Sequence, residues 1–386
     1  MPDTGGGPAS RWVLTCAPTS APCGRVPRVK PSTTTPPRWL LYGATGYTGV
    51  LIAEEAVRRG HKPVLAGRSR EKLEPLASRL GLDMAVVGLD DARGLVATLE
   101  GLPLVVHAAG PFIHTSEPMI QACLAAGAHY LDITGEIPVF ENTFRHDAEA
   151  RSRGVVLMSG VGFDVVPTDC LALYVASKVP GAHELDLAIG GTMKASAGTT
   201  KSMLEALPTG GAVRRGGHLQ PWPMGKGVRR VRFSDRERTV VPIPWGDLVT
   251  AWHSTGIPNI TTYMVQPPVA AHSLRLAFPV LQRALAVEPV RQRLMKLVEA
   301  RVQGPDESLR QRGRSQVWAQ ARAPDGRQAE AWLETPEAYA FTAKAAVRSV
   351  EEVLAGERRG SFSPAQAFGA DFVLSIEGVR RMDAYT

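Results

Sequence analysis

The sequence predicts an α/β fold: a doubly wound parallel sheet followed by a second α+β domain with a mainly antiparallel sheet. Three observations carry this. Six short apolar runs alternate with helical stretches between residues 39 and 158. A glycine-spaced turn, Gly43-Ala44-Thr45-Gly46-Tyr47-Thr48-Gly49, follows the first run and opens the first helix, the strand–turn–helix order of a Rossmann-type nucleotide fold. Beyond about residue 165 the alternation stops, and two strand-like runs flank Pro324-Asp325-Gly326, a hairpin signature.

The elements read in order as follows. Trp39 to Tyr42 is a strand and 47–59 a helix, with Gly60 placed as the glycine after its C-cap. Strands at 63–66, 84–87 and 104–107 alternate with helices at 70–80, 92–100 and 117–126. Asp90 or Asp91 caps the third helix. A fifth strand at 130–133, a helix at 139–152 and a sixth strand at 155–158 complete the alternation. A helix over 168–178, a strand at 185–189, strand pieces such as 228–233, helical runs over 272–302, hairpin strands at 316–323 and 328–335, and a helix at 338–355 make the remainder. The domains are expected at 38–165, nucleotide-binding, and 166–345, substrate-binding, with 346–386 returning to the first. Residues 1–37 lack hydrophobic period, are rich in Pro, Thr, Ser and Gly, and read as a disordered tail.

Composition narrows the class. The 386 residues carry 44 Lys+Arg and 37 Asp+Glu, a net charge of +7. The surplus lies in the tail and in residues 201–240, whereas residues 39–200 are acidic overall. A nucleic-acid binder concentrates basic charge on its main folded face, so no nucleic-acid partner is expected. Cys16, Cys23, Cys123 and Cys170 are too scattered for a disulfide framework or a zinc site, and no metal is expected. No uninterrupted apolar stretch is long enough to span a bilayer. The expected location is cytoplasmic. A peripheral membrane contact would use the amphipathic run over 272–302, where Phe278, Leu281, Leu285, Leu294 and Leu297 sit among Arg275, Arg283, Arg291, Arg293 and Lys296.

The chemistry begins at Gly43 to Gly49, where glycines let backbone N–H groups approach a pyrophosphate at a helix N-terminus. The second strand selects the cofactor. NAD sites place a carboxylate there for the ribose 2′-hydroxyl. This chain has Gly67-Arg68-Ser69-Arg70 instead. Arg68 can pair with a 2′-phosphate and stack on adenine, so NADP(H) is favoured. His107 to Phe112 ends the fourth strand, where the small residues Ala109 and Gly110, with Pro111, allow a dinucleotide to approach. His107 itself reads as a core histidine. Thr134 and Glu136 end the fifth strand and point toward the site, while Tyr130 and Asp132 are as readily structural as functional. Asp164 follows the sixth strand at the entry to the second domain and is a candidate to orient substrate or nicotinamide. Asp169 reads as a first-turn helix acid. Ser196 to Thr200 is a small polar loop able to donate to a carbonyl or to cap a helix.

As a set, GATGYTG, AGRS, HAAGPF, AGAHYLDITGE and GFDVVPTD resemble the saccharopine dehydrogenase-like oxidoreductases, and among them the trans-acting enoyl reductases. Gly304-Pro305, Tyr339, Ser363-Pro364-Ala365 and Phe368-Gly369 are similar to that family too, so the resemblance covers about residues 38–380. Thr168 stands where many relatives have Ser. The resemblance implies NADP(H) bound at Gly43–Gly49, Arg68 and Ser69. It further implies reduction of a C=C bond in a small-molecule or carrier-bound enoyl substrate, with a polyketide synthase as partner and a place in lipid or glycolipid synthesis. On that reading Tyr130 and Thr199 donate to the substrate carbonyl and Asp164 organises the site. The alternatives are a saccharopine-type C–N oxidoreductase and a nucleotide-holding scaffold that docks to lipid or a synthase. No cationic set for a dicarboxylic amino acid is evident.

Overall fold

The computed structural model describes residues 38–191 and 194–383. The expected tail over 1–37 and the Arg275 side chain lie outside the described residues.

The first half runs β1 (Leu40–Tyr42), α1 (Tyr47–Arg58), β2 (Val64–Gly67), α2 (Arg70–Leu80), β3 (Met84–Val86), α3 (Ala92–Leu99), β4 (Leu104–His107), α4 (Phe112–Ala126), β5 (His129–Asp132), α5 (Ile137–Arg145), α6 (Asp147–Arg153) and β6 (Val156–Met158). Strands β1 to β6 stand parallel in the order β6-β5-β4-β1-β2-β3, the doubly wound arrangement that the alternation predicts. All but the edge strand β3, whose Val86 is exposed, are largely buried on both faces, which is why they read as continuous apolar runs. Two details depart from the sequence reading. Helix α4 begins five residues earlier than predicted, because its first amides are capped by a distant carboxylate, Glu136. The helix expected at 139–152 divides at His146, whose amide bonds Thr143 O at 3.2 Å, a tightened turn that ends α5.

The second half runs α7 (Val166–Lys178), β7 (Glu184–Gly191), α8 (Ala197–Ala206), β8 (Gly211–Arg215), β9 (His218–Trp222), β10 (Arg229–Arg232), β11 (Glu237–Pro242), α9 (Asp247–Thr255), β12 (Asn259–Val265), α10 (Pro268–Ala286), α11 (Glu288–Arg301), α12 (Glu307–Arg312), β13 (Arg314–Arg322) and β14 (Gln328–Pro336). Then follow α13 (Ala338–Ala355), β15 (Gly360–Ser361), α14 (Pro364–Phe368) and β16 (Arg380–Met382). The second sheet orders β10-β11-β12-β7-β13-β14-β16, with β8 paired to β12 and to β9. It is mainly antiparallel; β12 and β7 form a parallel pair. The hairpin β13–β14 lies where Pro324-Asp325-Gly326 places it, and Gly326 turns with φ +89°.

Helix α13 joins the two cores: Phe341 and Ala345 pack in the core of the second half, while other residues of the same helix reach the first. Glu337 caps α13 by accepting from the Tyr339 and Ala340 amides, and α13 lays Ala343, Ala346, Val347 and Val350 into the core beside Ile52, Ala53 and Ala56 of α1. Strand β15 then adds to the parallel sheet beside β6, and β16 closes the edge of the other sheet beside β14. Asp169 on α7 fastens this return. Buried, it accepts from the Ser254 hydroxyl at 2.6 Å and from the Ala365 amide of α14 at 3.0 Å. Replacing Asp169 by Ala leaves the buried Ala365 amide without its acceptor and the Ser254 hydroxyl with only the long 3.4 Å bond to Ala251 O. Chemical denaturation should show a loss of about 1–3 kcal/mol, with NADP+ affinity unchanged within about twofold.

Candidate functional site

The glycine turn is built by close backbone contacts. Gly43 turns with φ +81°, and a Cβ there would stand 2.8 Å from Ala108 C and Ala109 N. A Cβ on Gly49 would stand 2.3 Å from Gly43 O. These glycines draw β1, α1 and the end of β4 together. Gly46, the N-cap of α1, differs: a Cβ on it would meet only Gly43 O, at 3.3 Å. Thr45 and Gly46 are exposed, and the first turn of α1 carries no acid and no side-chain cap. Its amides therefore face open space with the helix dipole behind them, a geometry that fits a pyrophosphate. Arg68 is exposed just past β2, followed by Ser69, whose hydroxyl caps α2 through the Lys72 amide. No carboxylate occupies positions 66 to 70. Tyr47 is held sideways: its hydroxyl donates to Pro305 O and accepts from Arg310 at 3.0 Å.

Two cavities of about 440 and 270 Å³ open beside the turn and share Thr48, Ile133, Asp164, Thr199, Met203 and Trp245. They form one cleft between the glycine turn, the C-terminal ends of β4 and β5, and helix α8 with the start of α13. Ala108, Gly110 and Phe112 line its smaller part. Ligands of such sheets lie beyond the strand C-termini.

Asp164 projects into this cleft. Its backbone carbonyl accepts from Trp245 Nε1 at 2.5 Å, which ties the loop after β6 to the second sheet's side. Its carboxylate sits against Gly135, where a Cβ would approach Oδ2 to 2.8 Å. It takes no hydrogen bond among the described residues. Burial, reinforced by the Glu136 charge, pushes its pKa up to about 7. Glu136 is fully engaged: it accepts from the Phe112 and Ile113 amides at 2.9 and 2.8 Å and from the Ser202 hydroxyl of α8 at 2.6 Å.

Across the cleft a hydroxyl chain runs Ser196–Tyr339–Thr199. The Ser196 amide donates to Tyr339 Oη at 2.6 Å, and Tyr339 Oη lies 2.8 Å from Thr199 Oγ1. With its oxygen already accepting, the Tyr339 hydroxyl can donate to Thr199; with the Ser196 hydroxyl, 3.2 Å away, donating to the same oxygen, the Thr199 proton is left for a ligand. Tyr339 was invisible as a site residue in the sequence, because the strand pairing that carries residue 339 to the cleft spans the whole second domain.

The structure thus brings together Thr48, Ala108, Gly110, Asp164 and Thr199 and withdraws Tyr130. Tyr130 has no exposed surface, and its hydroxyl donates to Asp132 Oδ2 at 2.8 Å. Asp132 also accepts from Ser159 and from the Thr134 and Gly160 amides. Burial raises its pKa to about 6 against those four donors. Both residues hold the end of β5 in place. His107 is likewise structural: buried, bonded to Thr115 Oγ1 at 3.1 Å, and lowered by burial to about 3.

This fold and cleft define a dinucleotide-binding oxidoreductase. Residues 39–158 match the family described as saccharopine dehydrogenase NADP binding domain. Residues 39–158 are therefore an NADP-binding domain of the saccharopine dehydrogenase type, and NADP(H) is its cofactor. A Mycobacterium tuberculosis relative bearing the provisional name trans-acting enoyl reductase is 35% identical over 184 residues, 44% of each chain. A human saccharopine dehydrogenase-like oxidoreductase is 30% identical over 162 residues, 37% of this chain and 38% of its own. The alignments thus span less than half the length of these relatives. Saccharomyces cerevisiae saccharopine dehydrogenase (L-Glu forming) shares the fold, with a TM-score of 0.60 over 90% of this chain and 99% of its own at 12% identity.

Arg68→Ala tests the cofactor pocket. A guanidinium–phosphate pair is worth roughly 1.5–3 kcal/mol, so the dissociation constant for NADPH should rise about 10- to 150-fold. That for NADH should stay nearly constant, as calorimetric titration with both cofactors would show.

Proposed function

We propose that the chain is an NADPH-dependent reductase of a C=C bond conjugated to a thioester or ketone carbonyl. The observation that carries this reading is Asp164, a carboxyl without a hydrogen-bond partner that titrates near neutrality, facing a hydroxyl chain across a largely apolar cleft beside the nucleotide turn. When bound, NADPH supplies the hydride that arrives at the β-carbon. The electron pair of the double bond then moves onto the α-carbon and carbonyl oxygen. Thr199, backed by Tyr339, donates to that oxygen as its charge grows. Asp164, protonated below about pH 7, gives its proton to the α-carbon and ends as a carboxylate. Bulk solvent reprotonates it after turnover. The glycine turn and Arg68 hold the pyrophosphate and the 2′-phosphate.

The cleft walls favour an apolar chain over a dicarboxylic amino acid. Ile133, Phe163, Met203 and Trp245 line them, and among the described lining residues the cationic candidates are Lys194 and His114. The saccharopine-type C–N reaction therefore lacks support at the site. The enoyl reductase names among relatives support the reading, and with it a carrier-bound substrate and a polyketide synthase partner in lipid or glycolipid synthesis.

The acid role sets a pH dependence. The reacting form holds the proton, so kcat should be level below about pH 7 and fall tenfold per pH unit above it. Asp164→Asn should lower kcat by about 10²- to 10⁴-fold while leaving the NADPH dissociation constant unchanged. A pH-rate series with enoyl thioesters of several chain lengths measures both. Turnover undiminished in Asp164→Asn would remove the residue from the chemistry.

A peripheral contact with an anionic membrane surface is supported by α10 and α11. No helix among the described residues is long and apolar enough to cross a membrane. Val269 is 83% exposed, and Leu281, Val287 and Leu297 are about half exposed, close in sequence to Arg283, Arg293 and Lys296. Phe278 and Leu285, read from sequence as part of the same apolar face, are buried instead. Leu281→Glu with Leu297→Glu should abolish flotation with phosphatidylserine vesicles; flotation that survives this change would exclude the face.

A further inference from the structure

The second sheet carries a basic groove that adjoins the cleft. Strand β12 ends at Val265, and the Gln266 amide makes one more bond, to Thr239 O at 3.0 Å. Pro267 and Pro268 have no N–H to continue the ladder, and the chain turns away into α10. Strand β11 pairs with β12 from Val240 on, so its first residues, Glu237 to Thr239, overhang that end. The space left is a groove of about 750 Å³. Arg229, Arg230, Arg236 and Arg238 line it, and Glu237 is the one carboxylate among its described lining residues. Val265 and Gln266 belong both to this groove and to the 440 Å³ part of the cleft.

The four arginines are held in two ways. Arg229 donates to buried Asp186 at 2.9 Å and lies over the Tyr263 and Trp318 rings. Arg238 donates to Gln316 and Asp235 and lies over Phe233. The side chains of Arg230 and Arg236 are 70% and 74% exposed; Arg230 pairs with Glu237 at 2.6 Å, and Arg236 stands 3.9 Å from Asp235. Such surface pairs are weak, so an incoming anion displaces them at little cost. Charge also keeps an edge strand from pairing with other chains, but Arg236 and Arg238 lie off the edge strand β10. We propose that this groove is a phosphate subsite for the non-reacting end of the substrate, which is then an acyl thioester of phosphopantetheine: the acyl chain lies in the cleft and the arm's phosphate on Arg230 and Arg236. This rests on the enoyl thioester reading above. The arm's phosphate is a diester on a carrier protein and part of a pyrophosphate in coenzyme A, and either accepts the paired N–H groups of a guanidinium.

The test compares 4′-phosphopantetheine with pantetheine by titration calorimetry on NADP+-saturated protein, which keeps the phosphate out of the cofactor's own sites. Wild-type protein should bind the phosphorylated arm about 3- to 10-fold more tightly, as expected of exposed charges, and the preference should shrink as salt is raised. Arg230→Ala with Arg236→Ala, both at exposed positions and checked by thermal unfolding, should bind the two arms equally. Enoyl thioesters on coenzyme A and on an acyl carrier protein then separate the sources: the one whose KM rises in the double variant carries the arm. Equal binding of the two arms by wild-type protein overturns the proposal even where enoyl thioesters turn over. A KM that rises on the carrier protein without any preference for the phosphorylated arm makes the groove a protein-docking surface and overturns the phosphate assignment. Preference for the phosphorylated arm with no turnover of any thioester keeps the phosphate subsite and overturns the reduction instead.

Discussion

Glu136 is the group on which the cleft depends. It stands past the end of β5, yet its two oxygens satisfy the first amides of α4 and the Ser202 hydroxyl of α8. One carboxylate therefore replaces a local N-cap and ties the parallel sheet to a helix of the second domain. Its fixed negative charge then acts on Asp164 across Gly135 and, together with burial, keeps that neighbour protonated to near neutrality. Of the two neighbouring carboxylates, Glu136 thus takes three donors and Asp164 takes none among the described residues.

The second constraint is steric. The turn from β1 to α1 closes on the end of β4 through Gly43, Ala108 and Ala109, and on itself through Gly49, with no room for side chains. Alanines of α13 allow a similarly close approach on the other flank of α1. Helix α1 is thereby clamped from two sides, and Thr48 in its first turn becomes a wall of the cleft. Nucleotide turn and substrate cavity are joined in this way without a separate linker.

The C-terminal segment makes the two sheets one unit. Strand β15 lengthens the parallel sheet, β16 the other, and Asp169 fixes α14 between them. Each added strand covers an edge that would otherwise present unpaired backbone groups. The loop with Asp164 and the start of α13 with Tyr339 belong to this joining region, so the cleft lies where the two halves are held together.

By itself the sequence determined most elements of the nucleotide half and one turn of the second: β4 and α2, and the β13–β14 turn, stand where periodicity and turn residues place them, because those signals are local. It also pointed to NADP(H), since the signals for that cofactor lie in a few contiguous residues. Asp164 and Thr199 were legible as polar residues at element ends. The start of α4 was not, because its cap comes from Glu136, 24 residues on. Tyr130 looked like a donor beside the strand ends but belongs to the Asp132 network, as a one-residue alternation along β5 decides which way a side chain faces. Tyr339 and the meeting of the cleft with the arginine groove could be found only in the tertiary structure. The Ser196 amide that bonds Tyr339 lies 143 residues away in sequence, and the two cavities meet at Val265 and Gln266; no local pattern encodes which distant backbone or charge a given side chain will meet.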